Sequence, residues 1–321
     1  AADATGRVWA GARAAGLVEI RKPYVWNLGR AEGLPGSELR GVRATADGAV
    51  WIATPEALTR IGDDGLETHP LPGADLVSLA ALGRDVWAVD RGQGLVGVRE
   101  GRVLRAGATE LGHDGIARVF AGRDRLWLAH HGGSVSRVDV VTTPGTVSWP
   151  SRRWATDDGL CAGRVVSLVE HRDGSTWMVT EAGHLARVRD AEVRCWSTGD
   201  AIGTGAIAVA LGPDGALWLR RRGPTALARL TMDSGEPRAS PVSERSCSAS
   251  GHGLVVDDGG HLWFDCREGL ARVSPADGAS LHFDRDENLR SEAPAETAFP
   301  PLAIDAHGRV WLATALGLSI V

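Results

Sequence analysis

Apolar runs of four to six residues, separated by short polar turns, fill the chain, and one arrangement of them keeps returning. An apolar run leads to a turn containing Gly and often Asp. A run centred on Trp follows, then a second turn and a third run that ends near Arg. One full copy reads Val165-Val166-Ser167-Leu168-Val169, Asp173-Gly174, Trp177-Met178-Val179-Thr180 and Leu185-Ala186-Arg187-Val188. Runs of this length with β-branched and aromatic content, bounded by Gly, Asp and Pro, are strands. Asp-Gly between two of them makes a tight hairpin, because the turn demands positive φ. No long stretch carries the periodicity of a helix.

Eight tryptophans mark the copies: Trp9, Trp51, Trp87, Trp127, Trp177, Trp218, Trp263 and Trp311, about 36 to 50 residues apart. Three residues before Trp stands Gly in six of them (Gly6, Gly48, Gly174, Gly215, Gly260 and Gly308). A weaker fourth run carries an aromatic in several copies, and Trp26, Trp154, Trp196 and Phe283 fit that place. Four antiparallel strands in some 43 residues, repeated, predict an all-β fold: a β-propeller of four-stranded blades forming one domain over 1–321. Eight middle hairpins predict eight blades, with seven the alternative, and the two ends do not look complementary. The chain therefore reads either as eight blades or as a piece of a longer array. Thr142–Arg153 and Arg290–Pro301 stretch the period and read as inserted surface loops.

Residues that recur in every copy belong to the scaffold, so recognition is sought in what differs between copies. Thr54, Thr180 and Thr314, three residues after their tryptophans, are expected to bond to backbone in the following turn. The loop after each Trp strand is where the copies differ. It supplies Arg13, Glu56, Asp90, Arg91, His130, His131, Glu181, Arg220, Arg221, Arg222, Arg267 and Glu268 as candidate ligand-binding residues. Polar groups converging on one face of a ring suit a polar ligand, with Arg forks for anions and carboxylates for sugar hydroxyls. Adjacent His130 and His131 at a strand end point apart, which argues against joint chelation. Neither GxSxG nor HExxH occurs, and no phosphate-cradling glycine loop opens a helix. No catalytic residue, metal site or cofactor is expected.

Composition narrows the partners. A net charge of −5 gives no footprint for nucleic acid. No segment has the ~20 apolar residues that span a bilayer. Four cysteines lack zinc spacing. Cys247 and Cys266 fall on one face of one copy and are a possible disulfide. Cys161 and Cys195 belong to another copy, at a separation the sequence leaves open.

The segment Trp154-Ala-Thr-Asp-Asp-Gly-Leu through Arg164-Val-Val-Ser-Leu-Val to Asp173-Gly-Ser-Thr-Trp177-Met-Val-Thr180 resembles the two-component regulator propeller repeat. Glu32-Gly33-Leu34-Pro35 through Trp51-Ile52-Ala53-Thr54 resembles it as closely. The resemblance implies a non-catalytic sensor domain, periplasmic or extracellular, that binds a carbohydrate or another small polar ligand such as an organic anion. It also implies a downstream signalling domain, which this chain does not contain. Two alternatives stay open. Gly212-Pro-Asp-Gly-Ala-Leu-Trp218 is similar to repeats of streptogramin B lyase, a propeller enzyme, and propellers also serve as protein-interaction platforms.

Overall fold

A computed structural model describes residues 8–12, 16–20, 25–111, 115–143, 146–197, 205–222, 226–242, 251–267, 269–291 and 295–321. Seven four-stranded antiparallel sheets occupy 41–70, 76–106, 116–154, 165–196, 206–241, 255–283 and, last, 302–320 joined by 26–28. They are numbered here as blades 1 to 7. The first strands of successive blades pack side by side around a central axis, and blade 7 meets blade 1, so the ring is closed.

The ring has seven blades where the Trp count predicts eight, because the hairpin that holds Trp9 forms a sheet of its own and the strand after it, Trp26–Leu28, completes the last copy. Blade 7 takes three strands from Leu302–Ile304, Val310–Thr314 and Gly317–Ile320, and its outer strand, Trp26–Leu28, comes from the other end of the chain. The ends that looked unmatched are therefore complementary. Asn27 ties the junction: it accepts a hydrogen bond from the Ser319 hydroxyl (2.7 Å) and donates one to the Asn288 carbonyl (2.8 Å). Among the described residues the strands Val8–Ala12 and Gly16–Ile20, which hold Trp9, pair only with each other.

The core lies between blades. Trp127 and Trp154 of blade 3 pack with Val165, Leu168 and Met178 of blade 4. Trp51 and Ala53 of blade 1 pack with Leu76, Leu79 and Val86 of blade 2. Each anchor Trp thus glues its blade to the next, a burial whose loss costs ~3–5 kcal/mol. The turn aspartates also hold the scaffold. Asp173 accepts from the Ser175 N–H (2.9 Å) and hydroxyl (2.6 Å), and Asp257 accepts from the Trp263 indole N–H (2.9 Å).

One insertion is itself structured: Val141–Thr143 and Thr146–Ser148 form a small hairpin before the fourth strand of blade 3. The other, 290–301, carries Phe299 to the central axis, where it lines the cavity there. Cys161 and Cys195 form a disulfide with Cα atoms 5.1 Å apart. Cys266 is also disulfide-bonded, while Cys247 lies outside the described residues.

Candidate functional site

Turns that follow the Trp strands share one face of the ring with the loops entering each blade. Most of the predicted residues there are engaged in tying those loops together. Asp90 is buried, accepting from the Asp75 N–H (3.0 Å) and pairing with Arg105 (3.0 Å). Arg91 pairs with Asp75 at 3.1 Å. Glu181 pairs with Arg164 at 3.1 Å, and Glu56 accepts from the Gly73 N–H at 3.2 Å. His130 is buried with its Nε2 2.9 Å from the Ser136 hydroxyl, whereas His131 is exposed.

Arg220 crosses from blade 5 to blade 6. Its guanidinium lies 2.6 Å from the Asp265 carboxylate, donates to the Gly253 carbonyl (2.8 Å) and to the Asp265 carbonyl, and covers the Phe264 ring. Arg221 is buried beside it, and Arg222 and Arg267 are exposed. Arg13 and Glu268 lie outside the described residues. The described candidates thus stay distributed blade by blade, and none of them lines the cavity on the axis.

Convergence occurs on the axis. A cavity of about 50 Å³ is lined by Arg43, Phe120, Ser167, His252, Leu254 and Phe299 among others, drawn from six of the seven blades. On the measure that gives one water ~10–15 Å³, it has room for a few waters or one small polyatomic ion. Apart from Ser78, Ser167 and Glu170 the other first strands are apolar. In the two that contribute Arg43 and Arg118, Gly41–Ala44 and Ile116–Ala121, these arginines are the only charged residues. Glu170, at the end of the first strand of blade 4, turns to the opposite face and bonds the Arg123 N–H at 3.3 Å.

Arg118 donates to the Val166 carbonyl of blade 4 (2.9 Å), and its guanidinium carbon lies 3.6 Å from the centre of the Phe299 ring. Arg43 makes no hydrogen bond or ion pair among the described residues. Burial draws Arg43 down to about 10. Burial, followed by the nearby Arg164 guanidinium, draws Arg118 to the same value. Both remain protonated at neutral pH. His252 is held below 6.5, first by burial and then by the charge of Arg118. Its imidazole, neutral at physiological pH, lines a cavity whose lining residues include the Arg43 guanidinium and no carboxylate, electrostatics that favour an anion.

Sequence reasoning passed over these three residues. The available signal was an arginine within an apolar first strand, at Arg43 and again at Arg118. What each meets across the axis depends on ring closure. Among the described residues no three His, Cys, Asp or Glu side chains gather to hold a metal.

Against known proteins, no family model and no curated sequence matches the chain. Solved structures do. The extracellular domain of a hybrid two-component system protein from B. thetaiotaomicron superposes with a TM-score of 0.73 and 14% identity over 99% of this chain. This chain spans 44% of the length of that extracellular domain. Streptogramin B lyase gives 0.68 and 16% identity, covering 92% of this chain and 96% of the enzyme. A catalytically inactive virginiamycin B lyase from Staphylococcus aureus, solved with quinupristin, gives 0.71 and 17% over 93% and 99%. The likeness is one of fold. At these identities the propeller is shared by sensors and enzymes alike.

Proposed function

We propose that this propeller is a non-catalytic, extracytoplasmic sensor module that captures a small organic anion on its axis. The observation that carries the reading is the cavity lined by Arg43 with no carboxylate among its lining residues, with the Arg118 guanidinium against the outer side of its Phe299 wall. A two- to four-carbon carboxylate suits the cavity's size better than a glycan chain does. The Arg43 guanidinium, with all its donors open, is the group to bond it in the forked manner that matches a carboxylate. Arg118 supplies charge and, through Phe299, a wall. Occupation would join first strands from opposite sides of the ring. That is a change a downstream signalling partner can read.

An extracytoplasmic setting is supported by the Cys161–Cys195 disulfide, which persists in oxidising compartments. The extracellular domain among the structural neighbours agrees with it. Isothermal calorimetry with acetate, malonate, succinate, sulfate and neutral monosaccharides tests the reading. One carboxylate should bind saturably, and Arg43→Met should weaken it at least tenfold while the protein stays folded. Binding of neutral sugars alone, or an anion affinity indifferent to Arg43→Met, would overturn it.

A further inference from the structure

The groove between blades 5 and 6, on the face of the Asp-Gly turns and away from the axis, has a volume of about 780 Å³. The groove in the same place between blades 1 and 2 has about 380 Å³. A substitution in the repeat accounts for the difference. In blades 1, 3, 4 and 6 the fourth strand places a ring flat on the anchor Trp. His69 stacks on Trp51, Trp154 on Trp127, Trp196 on Trp177 and Phe283 on Trp263, with centroids 5.5 to 5.8 Å apart and planes within 28°.

The corresponding register in blade 2 holds Ala106, and there Trp149 from the inserted hairpin of blade 3 packs edge-on against Trp87 at 5.2 Å. In blade 5 the register falls on Val242, whose N–H bonds the Leu227 carbonyl, and among the described residues no ring meets Trp218. The arginine opposite the Trp is left uncovered as a result. The Arg229 side chain is 53% exposed, against 17 to 34% for its equivalents Arg60, Arg137, Arg187 and Arg272. Trp218, Val242, Pro213 and Pro241 wall the space, and Asp214, Asp258 and Asp277 rim it. Asp258 has no partner among the described residues. Against these three carboxylates the groove sets the single guanidinium of Arg229, itself loosely paired to Asp214 at 3.8 Å. His261 is already engaged with Asp257 at 3.0 Å.

We propose that this groove is a second ligand site, for a compound that joins a flat aromatic ring to a cationic amine. The ring takes the stacking place that Val242 leaves vacant on Trp218, and the amine pairs with the carboxylate rim. The site is independent of the axial cavity.

The experiment compares phenethylamine with phenylacetate, which has the same ring and opposite charge, by saturation-transfer NMR and calorimetry on the full chain. Phenethylamine should bind, with phenylacetate at least tenfold weaker. Val242→Trp, which returns the ring found in blades 3 and 4, should abolish binding while leaving the melting temperature equal or higher. Asp258→Lys, an exposed change that leaves the fold alone, should weaken binding at least tenfold and serves as the independent variant if Val242→Trp folds poorly. Arg43→Met should leave amine affinity unchanged, which separates this site from the axial one. Equal binding of the two probes, full affinity in Asp258→Lys, or preference for cellobiose over both would overturn the proposal.

Discussion

Asp305 shows how a single carboxylate holds a blade. It accepts from the backbone N–H groups of His307 (2.9 Å) and Arg309 (3.0 Å), the Arg309 guanidinium (2.6 Å) and the Trp311 indole N–H (2.9 Å). Burial alone would raise its carboxyl, but these donors outweigh burial and hold it below 3.8. A depressed carboxyl contributes stability that is present above the unfolded value and lost as pH falls through the folded one. Asp305→Ala should therefore cost ~1–3 kcal/mol at neutral pH. The gap to wild type should narrow as pH drops below 3.8, and urea melts at two pH values would reveal a gap that fails to do so.

His252 is shifted in the same direction, but because its charged form is disfavoured by burial and by Arg118 rather than because it is held by donors. Its folded value lies below 6.5, so protonation disfavours the native protein as pH falls, and a bound anion favours the protonated form. Affinity for the axial anion should rise between pH 7.5 and 5.5, and a flat calorimetric profile would count against His252 facing that ligand. Local contacts were legible at this scale. Thr54, Thr180 and Thr314 bond within their turns, to the Ala57 carbonyl, from the His184 N–H and to the Gly317 carbonyl. Arg118 over Phe299 was not legible, because the two meet only across a closed ring.

Strands and hairpins followed from patterning, since each depends on residues within a few positions of it. Register in the fourth strands did not. Trp26 lies on such a strand but two places from the stacking position, which Leu28 takes, and it is 52% exposed. The cross-blade pair of Arg220 and Asp265 was equally hidden, because its members lie in different repeats and resemble ordinary loop charges. Removing one partner from so buried a pair leaves the other uncompensated, so Arg220→Met should cost ~3–5 kcal/mol. The double variant with Asp265→Leu should recover much of that loss. Thermal denaturation of the three variants checks this, and additive losses would contradict the pairing.

Over the whole molecule, counting tryptophans gave one blade too many because a count of hairpins is blind to which strand each one recruits. Among the described residues the strands Val8–Ala12 and Gly16–Ile20 pair with no blade, whereas 26–28 closes the ring. Removing residues 1–24 should thus leave a single cooperative transition within a few degrees of wild type by calorimetry. Removing four more, through Leu28, should lower the midpoint sharply and broaden the transition. Similar curves for the two truncations would show that the outer strand of blade 7 is dispensable.

The junction of Trp26 with Ile320 also sets an order of events at the ribosome. Trp26 emerges early and must wait unpaired until Ile320 is made. In that interval blades 1 to 6 form an open arc, with the apolar flanks of blades 1 and 6 facing water. Long-range pairings of this kind form slowly and leave nascent chains prone to mispairing. Anything that stalls translation before residue 317 therefore holds the arc open and lengthens its exposure to neighbouring chains.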